Sequence, residues 1–210
     1  MTKQVVILLH GVGSNGDDLQ ALARYWSHEL PDTVFLSPNA PFRFDQGFGY
    51  QWFSVNGITS ETRAARIGAA RSEFDATINR LFSEHAINPD RDRVVFVGFS
   101  QGTIMALDAL VSARFPLAGV VAYSGRLASP EPFIKSEIAT PVILIHGKSD
   151  PVIPYTESEA AANKLIELGF EVQTHYESGA VHTITNAGVA LALTFINCPV
   201  VLIRNSIRCF

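Results

Sequence analysis

Short runs of aliphatic and β-branched residues alternate along this chain with longer stretches whose apolar positions recur at helical spacing. The runs predict strands at Val5–Leu9, Val34–Ser37, Val94–Gly98, Leu117–Tyr123, Val142–His146 and Glu171–Tyr176. Strands that are apolar almost throughout, with helical segments between them, predict a mainly parallel sheet of about six strands covered by helices on both faces. The longest helical pattern runs from about Ser60 to Ala86, with Ile67, Phe74, Ile78 and Leu81 on one stripe. Arg63, Arg66, Arg71 and Glu73 fall on its other faces, where their charges are expected to be solvated. Thr156-Glu157-Ser158-Glu159 has the spacing of a capping box that opens a helix through Leu165 and Leu168, and Gly169 is placed to end it. Val189, Leu193 and Ile196 predict a last amphipathic helix.

Residues 38–59 carry no such period and read as one extended irregular stretch, holding Phe42, Phe44, Phe48, Tyr50, Trp52 and Phe53. Long loops in compact domains often serve function, and aromatic side chains commonly line pockets. The alternative is a satellite core packed over the sheet edge.

With 210 residues, 47% of them hydrophobic and 17% charged, the chain has the bulk for one well-filled core, which excludes disorder and points to a single domain over 1–210. A formal charge of -4, with the basic residues scattered, argues against a nucleic-acid partner. Cys198 and Cys209 both lie near the C-terminus, so no disulfide framework spans the fold and a reducing, cytoplasmic setting is expected. The histidines show no zinc-ligand spacing, so no metal is expected. Val5–Leu9 is too short for a secretory core segment. Ala187–Ile203 is uncharged, but Asn197 and Pro199 interrupt it, and the amphipathic helix explains it better than a membrane anchor. The tail from Pro199 to Phe210 has no assignment.

Two glycine motifs compete for the chemistry. Gly11-Val12-Gly13-Ser14-Asn15-Gly16 follows the first strand and precedes a helix starting near Asp17 or Asp18, as in dinucleotide-binding folds. That reading needs a carboxylate ending the second strand, which ends instead at Phe35-Leu36-Ser37-Pro38-Asn39. Gly98-Phe99-Ser100-Gln101-Gly102 follows the third strand and matches a nucleophile elbow. The elbow asks for an acid after a later strand and a histidine after a still later one. Asp150 and His182 satisfy both demands, in that order.

A serine hydroxyl becomes nucleophilic when an imidazole takes its proton and a carboxylate fixes the imidazole's tautomer. Ser100, His182 and Asp150 fit those roles, and parallel strands deliver their loops to one sheet edge. Charge on a tetrahedral intermediate would be met by the backbone N–H groups of Gln101 and Val12, which turns the first glycine loop into half of an oxyanion hole. Asp108 and Glu157 are rivals for the acid, although their positions within helices explain them otherwise. His175 is a rival for the base, and His10 and His146 read as buried hydrogen-bonding groups. Tyr123 leaves the fourth strand on the active edge as a candidate pocket wall.

Together Leu9-His10-Gly11-Val12-Gly13, Pro38-Asn39-Ala40-Pro41, Gln51-Trp52-Phe53, the elbow, His146-Gly147-Lys148-Ser149-Asp150-Pro151-Val152-Ile153-Pro154 and Gly179-Ala180-Val181-His182 resemble the phospholipase/carboxylesterases, which include acyl-protein thioesterases and bacterial carboxylesterases. The likeness runs from about Val5 to Phe195. It implies an α/β-hydrolase fold without a lid domain, Ser100, Asp150 and His182 as the triad, and Val12 and Gln101 as the oxyanion hole. It implies ester or thioester hydrolysis without metal or organic cofactor, and some members form homodimers. Trp52, with Phe53 and Phe48 beside it, would flank the acyl pocket. The family's fuller fold carries one or two strands before the Leu-His-Gly strand, so this sheet should be reduced, with one edge differently exposed. The tail after Asn197 does not match a family ending. A noncatalytic binding module on the same fold, or a dinucleotide-dependent enzyme using residues 11–16, are the rival readings.

Overall fold

The computed structural model describes residues 2–198; the tail beyond them, with Cys209, lies outside the described residues. In chain order the strands are β1 (Gln4–Leu9), β2 (Thr33–Leu36), β3 (Phe42–Arg43), β4 (Tyr50–Gln51), β5 (Arg93–Phe99), β6 (Gly119–Tyr123), β7 (Pro141–Gly147) and β8 (Glu171–Glu177). The helices are α1 (Gln20–Glu29), α2 (Ser60–Glu84), α3 (Gln101–Val111), α4 (Thr156–Glu167) and α5 (Asn186–Asn197). All six strands expected from the hydrophobic pattern form, within one or two residues of their expected ends. They make one sheet in the order β2-β1-β5-β6-β7-β8, with every neighbouring pair parallel.

The inner strands β1, β5, β6 and β7 are apolar almost throughout because both their faces are covered, whereas edge strand β8 mixes polar with apolar residues and is only partly buried. Alternate residues serve two cores, as the pleat requires. Val5, Ile7 and Leu9 of β1 pack toward α2, α3 and α4, and Val6 and Leu8 pack toward Trp26 of α1 and Ile196 of α5. This is a reduced α/β-hydrolase fold, with β2 closing the edge beside β1.

Strand order reverses between β1 and β5: the chain leaves β1 toward β2 on one side and leaves β5 toward β6 on the other. Open parallel sheets bind ligands at such a switch point, outside the carboxyl ends of the strands. Leu9 pairs with Gly98, Phe99 with Tyr123 and Gly147 with Glu177, so the loops after these strands leave the sheet side by side.

Several local expectations are corrected. The stretch 38–59 is not wholly irregular: β3 and β4 form a small antiparallel hairpin. Its backbone docks on the first glycine loop, where Gly13 N–H donates to the Tyr50 carbonyl and Tyr50 N–H to that of Ser14, each at 2.8 Å. Glycine loop and helix are separated by a 3-10 turn at Gly16–Leu19, capped by the Asn15 side chain. No capping box opens α4, because Thr156 already lies in its first turn and Tyr155 is the cap. The Glu157 and Ser158 amides bond instead to the carbonyls of Pro154 and Tyr155. The end of α4 follows expectation: Gly169 has φ +84, and Gly169 and Phe170 return their N–H groups to Ile166 and Leu165. Arg71 is not simply solvated, since it pairs with buried Asp108 of α3.

Candidate active site

At the end of β5 the chain must turn sharply into α3, and Ser100 makes that turn with φ +53 and ψ -115, outside the regions that L-residues favour. The flanking glycines are dictated by close approach. A Cβ on Gly98 would lie 2.4 Å from the Thr103 nitrogen, and one on Gly102 would lie 1.9 Å from the Leu9 carbonyl oxygen. The Ser100 N–H donates to the Tyr123 carbonyl at 3.0 Å, tying the elbow to β6.

His182 and Asp150 arrive from β8 and β7. Their two loops are stitched together: Lys148 N–H donates to the Glu177 carbonyl and Ser149 N–H to that of Ala180, each at 2.9 Å. The result is a continuous relay. His182 Nε2 is 3.0 Å from Ser100 Oγ, and its Nδ1 is 2.7 Å from Asp150 Oδ2. The Phe99 ring lies 4.9 Å from the His182 ring, limiting its swing. Since ionised Asp150 can only accept, the His182 proton belongs on Nδ1, leaving Nε2 to accept from the Ser100 hydroxyl.

Burial pushes the Asp150 carboxyl upward, but hydrogen bonds from His182 and from the Ile153 and Val152 amides, with the charge of His182, outweigh it. The group titrates below the ordinary carboxylate range. The rivals stand elsewhere: Asp108 pairs with Arg71 and Arg114, Glu157 with Arg126, and His175 lies on edge strand β8.

Val12 follows Gly11, where a Cβ would stand 3.4 Å from the Ser100 Cβ, so the first glycine loop lies directly against the elbow. That loop is filled from within. Gly16 N–H donates to Asn39 Oδ1 at 2.8 Å, and a Cβ on Gly16 would lie 2.0 Å from the Ser37 carbonyl oxygen. These contacts hold it against the turn after β2.

Gln101 contributes more than its expected backbone N–H. Its side chain accepts from the Trp52 N–H at 2.7 Å and donates to the Phe53 carbonyl at 2.8 Å, fastening the aromatic loop to the elbow. Trp52 Nε1 donates to the His10 carbonyl at 2.9 Å. Burial pushes His10 down despite the Gly11 carbonyl and the charge of Asp18. A neutral ring suits its bonds: Nε2 accepts from Ala40 N–H and Nδ1 faces the Gly11 carbonyl. Ala40 and Trp52, two of its partners, lie in a distant loop, which no local sequence signal announces.

The aromatic residues separate. Trp52 and Phe53 are buried in the core beneath the loop, whereas Phe48 at the hairpin tip is 95% exposed. Tyr123 is fully buried on the α1/α5 side and its hydroxyl donates to the Gly188 carbonyl at 2.9 Å. It meets the elbow through its carbonyl, which accepts from Ser100 N–H and Thr103 Oγ1, and not through its ring. Among the described residues no helix is long and apolar enough to cross a membrane.

Known proteins resemble this chain in sequence and fold. Residues 1–199 match the sequence profile of a family described as Phospholipase/Carboxylesterase. The esterase YpfH of Escherichia coli is 32% identical over 192 residues, covering 91% of this chain and 81% of that protein. Acyl-protein thioesterase 1 of Neurospora crassa is 28% identical, covering 85% of this chain and 79% of that one. The crystal structure of esterase PE8 superposes with a TM-score of 0.83 at 37% identity, over 93% of this chain and 92% of that one. The chain therefore belongs to the phospholipase/carboxylesterase family of α/β-hydrolases, and it is a hydrolase of the esterase and thioesterase type.

Proposed function

We propose that the protein is a serine carboxylesterase that hydrolyses short- to medium-chain carboxylic esters, with thioesters in reach of the same chemistry, through an acyl-enzyme at Ser100. The observation that carries this reading is the unbroken Ser100–His182–Asp150 relay at the strand-order switch point. His182 Nε2 takes the Ser100 proton as Oγ attacks the carbonyl carbon, and Asp150 stabilises the imidazolium that forms. The oxyanion is met by the backbone N–H groups of Val12 and Gln101, each worth about 3–4 kcal/mol in the transition state. His182 then protonates the leaving alcohol or thiol. In the second half water loses its proton to His182, attacks the acyl carbon, and the acid leaves as Ser100 regains its hydrogen.

No cofactor enters this sequence of steps. Phe48 would meet the acyl chain from the hairpin tip, with Trp52 and Phe53 anchoring that hairpin and Tyr123 supporting the elbow from below. A fluorophosphonate probe supplies the test: covalent capture in the wild type and none in Ser100→Ala, with turnover abolished and the fold intact. Near-normal esterase activity in Ser100→Ala overturns the assignment. An unlabelled wild-type protein without turnover would instead mark a noncatalytic binding module.

A further inference from the structure

Asp150 is held by more than the triad requires. Its Oδ1 accepts the N–H groups of Val152 and Ile153 at 2.8 and 2.9 Å. Its Oδ2 faces two imidazoles: His182 Nδ1 at 2.7 Å and His146 Nε2 at 3.0 Å. A carboxylate has about four lone-pair sites, and here each has a donor. His146 closes the set from the end of β7, with its side chain fully buried.

The His146 tautomer follows from its neighbours. Nε2 lies 2.8 Å from the Ile153 carbonyl as well as 3.0 Å from Asp150, and both partners only accept, so Nε2 carries hydrogen and shares it between them. On the other side Nδ1 is 2.6 Å from Ser158 Oγ, a fully buried hydroxyl in the first turn of α4. In the neutral ring Nδ1, at 2.6 Å, accepts the Ser158 hydroxyl proton in preference to the Gly125 carbonyl, which lies 3.3 Å from the same oxygen. A chain of buried groups thus runs from α4 through the strand end to the carboxylate.

We propose that His146 is a positioning residue for the hydrolysis. Its Nε2–H fixes the Oδ2 edge of Asp150 in the orientation His182 needs, and the Ser158 hydroxyl fixes His146 in the tautomer that can do this. The inference rests on reading Ser100, His182 and Asp150 as the catalytic set. It assigns His146 a task no backbone amide shares, because both amides in the cradle grip Oδ1. Without His146, Oδ2 would have His182 as its remaining donor and the carboxylate could rotate about its Oδ1 contacts. Losing a donor also makes Oδ2 more basic, so His182 would hold its proton more tightly.

The experiment compares His146→Ala, His146→Gln and Ser158→Ala, with rates per folded molecule on a p-nitrophenyl butyrate substrate across pH. His146→Ala is expected to lower kcat about 10–100-fold, the loss typical when the hydrogen-bond partner that orients a metal-ligating side chain is removed, with KM unchanged. The acid limb of kcat/KM should move to higher pH. Lys148, the Arg126–Glu157 pair, Glu159 of α4 and Glu177 at the end of β8, charged side chains of the neighbouring loops and helix, are unchanged in all three variants. His146→Gln, which restores an N–H at the ε position, should recover most of the rate and return the limb. Ser158→Ala should shift both in the same direction but less. If kcat and the acid limb stay at wild type in His146→Ala, the proposal falls, even where the melting temperature drops. If that variant does not fold, Ser158→Ala with unchanged kcat and limb overturns it equally. Ser100→Ala run beside them separates the two readings: retained turnover there removes the catalytic set itself, whereas lost turnover there with normal His146 variants removes only the positioning role.

Discussion

Arg71 and Asp108 meet across the α2–α3 contact as a two-pronged pair, Nε to Oδ2 at 3.0 Å and Nη2 to Oδ1 at 2.8 Å. Arg114 adds a third bond to Oδ2 at 2.7 Å and turns its Nε to Asp75. The Asp108 side chain is fully buried, so removing it leaves Arg71 without its carboxylate and Arg114 with Asp75 alone in a poorly solvated seam. Asp108→Ala should cost about 3 kcal/mol, the low end for a broken buried pair, because Arg71 retains some contact with water. Urea denaturation measures it. Activity per folded molecule should be unchanged, which would confirm that this carboxylate has no part in the chemistry.

Gly102 supports the site by lacking a side chain. A Cβ there would collide with the Leu9 and His10 carbonyl oxygens, at 1.9 and 2.8 Å, and backbone of a central strand cannot swing aside as a flexible side chain would. Gly102→Ala should push α3 away from β1, lowering the melting temperature and turnover together. Gly57→Ala is the comparison: its neighbourhood is open, and its penalty is limited to its φ of +60. Equal losses in the two variants would contradict the close-approach argument.

Asp150 links activity to acid stability. Its folded-state carboxyl titrates below the unfolded value, which is about 3.9 for an aspartate. Its contribution to stability is therefore complete above that value and is lost as pH falls through the lower, folded one. Asp150→Asn should lower kcat about 10⁴-fold by freeing the His182 tautomer. The difference in urea midpoint between wild type and Asp150→Asn should narrow as pH drops below about 4. A difference that stays constant down to the acid transition would show that the carboxyl carries no depressed pKa.

These variants also mark where the amino-acid pattern was legible and where it was not. The four inner strands could be read because each buries both faces, so hydrophobicity alone outlines them; edge strands β2 and β8 are only partly buried and were read from their β-branched and aromatic residues. Ser100, Asp150 and His182 were legible through chain order, since parallel strands deliver successive loops to one edge. The β3–β4 hairpin left no trace, because two-residue strands have no period and its docking partner, residues 13 and 14, lies far away in the chain. Arg71 looked like any exposed helix arginine until Asp108 was placed opposite it. His146 and the Gln101 side chain show the same limit: each acts through partners that only the folded loops assemble.

Phe48 tests the last link, from the hairpin to substrate choice. It stands almost free at the turn between β3 and β4, a position where burial gains nothing for stability. The hairpin beneath it is rigidly held: Tyr50 is bonded to the first glycine loop, and Trp52 and Phe53 are bonded to Gln101. A large, exposed apolar ring on a firm support suits contact with an acyl chain. Phe48→Ala should therefore leave the melting temperature unchanged. On p-nitrophenyl esters of graded length, KM should rise for butyrate to octanoate while acetate is little affected, because only the longer chains reach the ring. A uniform change across all lengths, or none, would remove Phe48 from the substrate pocket and move the basis of chain-length preference to another part of the rim.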